Sequence, residues 1–332
     1  MRPAKITDTD YIQFLIAAQK VFSCCEAARC QPEDTGITEP VAHDAFTRLL
    51  ERLPPDTAAL WQEVEPLVDK QSGILVLDDT TLDKPYARKM ELVTRHWSGK
   101  HQQVVLGINL MTLLWTDGRS AVPCDCRLYD KTGPSKNDHF VTMMAVAKER
   151  GFAPSLVCFD SWYSGLNNLK VVRSHGWHFL TRLKKNRQIN PDDTGNVAVS
   201  TIAIPAVGLT VHLKGFGFVK VFRTVDPNGH AEHWVTSDLT MTEEQRTIWE
   251  RELFAIESYH RGLKQCCGVE RCQSRRTRAQ SNHIFLSVRA FVRLELHRLI
   301  TGVGWYSAKW QIVREAIRAY LANPTIKLKP TA

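Results

Sequence analysis

Four apolar residues, Ile74-Leu75-Val76-Leu77, run without a break into two carboxylates, Asp78 and Asp79. A short apolar run of this kind reads as a strand buried on both faces, which requires a sheet covered by helices. Pro154–Asp160 repeats the pattern, with Leu156-Val157-Cys158-Phe159 closing on Asp160. Turn chemistry is the ordinary reason for one acid after a strand. It accounts less well for an adjacent pair, because close like charges raise each other's pKa unless a cation neutralises them. A magnesium ion, which takes carboxylate oxygens, suits such a place.

The segments around these strands build an α/β order. Lys89–Trp97 and Gln103–Thr116 read as further strands, and Ser120–Tyr129 continues the sheet after the Asp117-Gly118 turn. Asp138–Gly151 and Leu166–His175 have helical spacing, and Trp177–Leu183 is a fifth strand segment. The stretch before residue 70 reads as helical. One helix is expected from Asp8 to about Arg29, a second from Val41 to Arg52 and a third from Thr57 to Lys70, with Pro32, Gly36 and Pro54-Pro55 as breaks. Three such helices fit a helix-turn-helix DNA reader and a packing cap equally well. Residues 196–236 are β-rich, with turns at Gly215 and at Asp226-Pro-Asn-Gly229. Helices follow at Thr242–Gln265 and Ser281–Ile300.

Charge is unevenly spread. Of 43 basic and 35 acidic residues, the segment Thr242–Ala332 holds 16 basic against 8 acidic, and the rest is balanced. A basic segment points to a polyanion, most often nucleic acid, or to a solvated helical surface. With 43% hydrophobic residues the chain is neither disordered nor collagen-like, and no apolar run approaches the roughly 20 residues of a membrane span. The N-terminus lacks a signal-peptide apolar core, so a cytoplasmic protein with reduced thiols is expected. Two cysteine clusters, Cys24-Cys25…Cys30 and Cys266-Cys267…Cys272, lack the spacing that zinc prefers. They are read as buried or inert thiols.

Glu257, Arg261 and Lys264 lie at i, i+4 and i+7, on one face of the Thr242–Gln265 helix. Three local texts then resemble the motifs of bacterial insertion-sequence DDE transposases of the cut-and-paste type. They are Leu77-Asp78-Asp79-Thr80-Thr81-Leu82, Cys158-Phe159-Asp160-Ser161-Trp162-Tyr163 and Ala255-Ile256-Glu257-Ser258-Tyr259-His260-Arg261-Gly262-Leu263-Lys264-Gln265. The third is similar to the Tyr-Arg-Glu-Lys signature of that group, with Lys264 seven residues after Glu257. The signature's tyrosine and arginine positions fall on Glu250 and Leu253, so the Glu–Lys half alone is kept.

The resemblance covers roughly residues 73–300. It implies an RNase H-like mixed sheet flanked by helices, with an N-terminal helical domain and a β-rich insertion. The domains expected are 1–70 (helical, for element-end recognition), 71–190 (first part of the catalytic core), 191–240 (insertion), 241–300 (catalytic helix and basic DNA-binding part) and 301–332 (helical tail). It implies hydrolysis and strand transfer of DNA phosphodiester bonds with two Mg²⁺ ions, Mn²⁺ being a substitute. Asp78, Asp160 and Glu257 are the expected ligands, with Asp79 kept as a second candidate for the first position. DNA contacts are assigned to Arg261, Lys264, Trp162, Lys184, Lys185, Arg271, Arg275, Arg276 and Arg278. The partners implied are element ends and target DNA, with a homodimer on paired ends, no membrane, and a bacterial nucleoid as the place of action. A non-catalytic DNA-binding protein and another RNase H-like nuclease are the competing readings.

Overall fold

A computed structural model describes residues 6–32, 41–99, 101–225 and 228–326. In chain order the helices and strands are α1 (Asp8–Ala17), α2 (Cys24–Arg29), α3 (Ala45–Arg52), α4 (Ala58–Val64), β1 (Ile74–Asp83), β2 (Thr94–Ser98), β3 (Gln103–Thr116) and β4 (Val122–Tyr129). There follow α5 (Lys136–Glu149), β5 (Leu156–Phe159), α6 (Leu166–Ser174), β6 (Phe179–Leu183), β7 (Gln188–Asn190), β8 (Val197–Ala198), β9 (Leu209–Leu213), β10 (Gly217–Val225) and β11 (Ala231–Thr236). The last elements are α7 (Glu243–Cys266), α8 (Thr277–Thr301) and α9 (Trp305–Ala322).

The chain divides into two compact units. The larger, Thr57–Arg88 with Leu92–His260, holds one mixed sheet, ordered β2-β3-β1-β5-β6-β11-β10-β9-β7-β8 with β4 on β3. β1 lies between antiparallel β3 and parallel β5, and β5 is parallel to β6. Ile74–Leu77 are at most 1% exposed, as expected of a strand covered on both faces. Gly73 makes the entry possible. Its φ is +70°, and a Cβ there would meet the Thr116 carbonyl oxygen at 2.5 Å. The β-rich insertion joins the sheet through β11, which pairs with β6.

The smaller unit, residues 1–56, 89–91 and 261–332, is helical. α1 and α3 bury Tyr11, Ile12, Leu15, Phe46, Leu49 and Leu50. Polar residues of α8 tie the unit together. Tyr11 and His283 share a hydrogen bond of 2.9 Å, and His283 Nε2 lies 3.0 Å from the Gly268 carbonyl. Asn282 donates to the Leu50 and Leu53 carbonyls at 2.7 and 2.9 Å, satisfying the end of α3. The Lys309 ammonium is buried yet donates to the Ile16, Ala18 and Cys266 carbonyls at 2.9, 2.7 and 2.7 Å.

The structure corrects several sequence boundaries. The helix expected from Asp8 to Arg29 is two helices, since Ala18 turns extended and Ser23 caps a new start. The acids do not end β1, which continues to Asp83 through its pairing with β3. The strand expected at Lys89–Trp97 begins only at Thr94. Lys89–Glu91 belong to the helical unit, where the Glu91 carboxylate accepts from the Thr277 N–H at 2.6 Å. Gly36 and the Asp226-Pro227 half of the expected turn lie outside the described residues.

Candidate active site

Parallel pairing sets the site. Leu77 is in register with Phe159, the last pair of the parallel ladder, so the next residues, Asp78 within β1 and Asp160 just past β5, stand side by side. Glu257 comes from α7. Asp78, Asp160 and Glu257 line one cavity of about 140 Å³, together with Arg182, Trp234 and Phe254. Asp160 and Glu257 are exposed and Asp78 is half-buried, so the carboxylates face solvent through that cavity.

Successive side chains of a strand point to opposite faces, and here the two aspartates divide accordingly. The Asp79 carboxylate accepts from Lys136 Nζ at 2.7 Å, Asn109 Nδ2 at 2.6 Å and the Tyr163 hydroxyl at 2.5 Å. Burial alone would push Asp79 up, but the Lys136 charge and these three donors hold it below the usual carboxylate range. Asp78 goes the other way. Burial, then the charges of Asp79, Asp160 and Glu257, push it up to about 8, against one helpful backbone N–H from Asp79.

That contrast tests the site for a cation. The charges of Asp160 and Glu257 help to raise Asp78 across one cavity, and an all-oxygen acidic donor set is what a hard divalent ion takes. The donor chemistry fits. Among the described residues no three His, Cys, Asp or Glu side chains are gathered tightly enough to hold an ion as they stand. The carboxylates share the cavity without yet converging.

Arg182 was not singled out from the sequence. Strand β6 places it beside Asp160, because Phe159 pairs with Thr181. Its guanidinium pairs with Glu232 at 2.6 Å, approaches Asp160 at 3.5 Å and lies 5.4 Å from the Trp234 ring centre. Parallel β5–β6 pairing was the signal that could have found it.

The expected DNA-binding residues scatter. Trp162 is 49% exposed, with the Lys136 ammonium 5.3 Å from its ring centre. With Lys184, Arg187 and Lys214 it lines a second hollow of about 390 Å³. Lys185 is exposed on the same loop. Arg261 and Lys264 lie on the last turns of α7, in the helical unit. Arg261 is exposed, and Lys264 is 3.4 Å from Glu270. Arg271 and Arg275 are exposed in the loop before α8. Arg276 sits 3.6 Å from Glu51. Arg278 is occupied structurally, donating to the Leu53 and Arg52 carbonyls at 2.9 and 3.1 Å. The nine cysteines are free thiols. Among the described residues no helix is long and apolar enough to cross a membrane.

The transposase DDE domain family matches residues 69–293, more than half of the chain. Among solved structures, the chain is similar to piggyBac transposase in a synaptic complex with hairpin DNA. The TM-score is 0.52 at 11% identity, over 96% of this chain and 72% of that one. It also aligns with the Drosophila P element transposase of a strand transfer complex, at 8% identity over 98% of this chain and 88% of that one. The TM-score there, 0.29, is too low to speak for the fold. No curated protein sequence matches.

Proposed function

The chain belongs to the transposase DDE domain family and is a metal-dependent DNA transposase, and we propose that Asp78, Asp160 and Glu257 are its metal-binding carboxylates. The observation that carries this reading is their shared cavity, lined by the middle of β1, the end of β5 and α7. Divalent ions there, two Mg²⁺ with Mn²⁺ as a substitute, would supply Lewis-acid activation of the attacking oxygen and charge neutralisation at the leaving oxygen.

The protein's own part is positioning and electrostatics. Asp78 and Asp160 are fixed by strand register, and Glu257 by a long helix. Arg182, anchored by Glu232, holds a guanidinium at the cavity wall, where it would meet a phosphate oxygen of the entering strand. Asp79 stands outside the chemistry and braces the strand through Lys136, Tyr163 and Asn109. Trp162, Lys184 and Lys185 form a basic, aromatic surface beside Asp160 suited to a DNA backbone and an exposed base. Arg261, Lys264, Arg271, Arg275 and Arg276 would contact phosphates of the element ends, within a nucleoid-bound homodimer on paired ends.

The test is cleavage of DNA carrying the element's paired terminal repeats, with random DNA as control and with Mg²⁺ or Mn²⁺. Metal-dependent cutting confined to the repeats supports the proposal. Equal cutting of both DNAs favours a general nuclease, and binding without cutting favours a non-catalytic DNA-binding protein.

A further inference from the structure

Three residues after Glu257, on the same face of α7, stands His260. Glu257 is exposed, whereas His260 is 8% exposed. The ring is braced by fully buried Tyr259, their ring centres 5.3 Å apart. His260 Nδ1 points to the Asp78 carboxylate, 3.9 Å from Oδ2. That exceeds a hydrogen bond, whose heavy atoms lie about 2.7–3.2 Å apart, by less than the reach of a side-chain rotation.

The comparison with Asp79 shows why this matters. Asp79 is fixed by three side-chain donors. Asp78 must stay ionised beside Asp160 and Glu257 to bind a cation, and its own backbone supplies the Asp79 N–H. A carboxylate among like charges needs a donor on one oxygen to aim the other at an ion. Carboxylate and imidazole ligands are regularly held by such outer partners, whose loss costs about 10–100-fold in metal affinity.

We propose that His260 is the positioning residue of the metal site, donating from Nδ1 to Asp78 and orienting its other oxygen toward the ion shared with Asp160 and Glu257. The proposal rests on the reading of those three carboxylates given above.

The test is Mn²⁺ titration of the full chain without DNA, followed by calorimetry and by electron paramagnetic resonance of the bound ion. His260→Phe keeps the ring volume and removes the donor, and His260→Asn keeps a donor near the Nδ1 position. We expect affinity about 10–100-fold weaker in His260→Phe and recovery of most of that loss in His260→Asn. The bound Mn²⁺ of the unaltered protein should show no coupling to an imidazole nitrogen. In an Asp78→Asn background, His260→Asn and His260→Phe should then bind Mn²⁺ alike, since the partner is gone. Wild-type affinity in a folded His260→Phe would overturn the proposal. A strong nitrogen coupling would overturn it too, making His260 a direct ligand. Should His260→Phe not fold, an affinity loss in His260→Asn as large as that of Asp78→Asn counts against it. If Asp160→Asn leaves Mn²⁺ binding unchanged, the metal-site reading itself has failed, whatever His260 does.

Discussion

Asp78 and Asp79 are neighbours on one strand, and their surroundings are opposite. Asp78 faces Asp160, Glu257 and solvent, and its carboxyl is raised to about 8. Asp79 faces Lys136, Asn109 and Tyr163 and is held below the normal range. One carboxylate is left electrostatically unstable, as a cation-binding group is before its cation arrives. The other is already neutralised by the protein. Chemical identity is the same, and the alternation of the strand decides the surroundings.

The largest expected effect lies on the Asp78 side. Asp160→Asn and Glu257→Gln should each lower terminal-repeat cleavage by about 10²–10³-fold or more, the range seen when one group stabilising a transition-state charge is removed. DNA binding, read by gel shift, should stay close to wild type. Substantial cleavage by either purified variant would break the assignment.

On the Asp79 side the effect should be on stability. Asp79→Asn leaves the partly buried Lys136 ammonium without its counter-charge, and loss of one partner of such a pair costs about 3–5 kcal/mol. Urea denaturation should show that loss, with part of it restored by adding Lys136→Met. A neutral Asp79→Asn would mean that the network is not structural.

The pH dependence should also separate the two. In chelator-treated protein, Asp78 keeps its proton up to about pH 8 when folded but loses it near 3.8 when unfolded. The folded state therefore binds more protons between those limits, and this group's contribution to stability falls as pH rises from about 4 to 8. Asp79 has the reverse sign, because its folded pKa is depressed. Its contribution is fully present above the unfolded value of 3.8 and is lost as pH falls through the lower folded value. Asp78→Asn should flatten the neutral-pH slope measured by denaturation, and Asp79→Asn should narrow it without removing it, because burial, the largest cause of the Asp78 shift, remains when the Asp79 charge is gone.

A smaller effect tests whether DNA lies along the basic loops. Arg275→Ala with Arg276→Ala should reduce the log–log salt slope of DNA binding by about 0.9 for each phosphate that is no longer neutralised. Arg276, 3.6 Å from Glu51, is expected to contribute less than the exposed Arg275. An unchanged slope would place these arginines off the DNA.

How much of the fold and site is legible in the sequence follows from the physics of each piece. The two apolar runs ending in acid are readable because buried strands have a compositional signature that survives without context. So is β3, whose expected span, Gln103–Thr116, is the observed one. The Glu257 face of α7 is readable from helical spacing. The break between α1 and α2 is hidden because Phe22, in the connection, is itself buried and keeps the apolar rhythm going. The true start of β2 is hidden because Glu91 is claimed by the backbone of a segment 186 residues later in the chain. Arg182 depends on which strand lies beside β5, and Arg278 is spent on carbonyls at the end of α3. Local pattern carries no information about such distant partners.

The most direct test of the division between the two aspartates is paired. Asp78→Asn and Asp79→Asn are purified, confirmed folded at a temperature low enough to tolerate the weaker variant, and assayed together for Mg²⁺-dependent cleavage of terminal-repeat DNA. The account predicts no measurable cleavage by Asp78→Asn and measurable cleavage by Asp79→Asn. Cleavage by a folded Asp78→Asn, with a folded Asp79→Asn inactive, would contradict it.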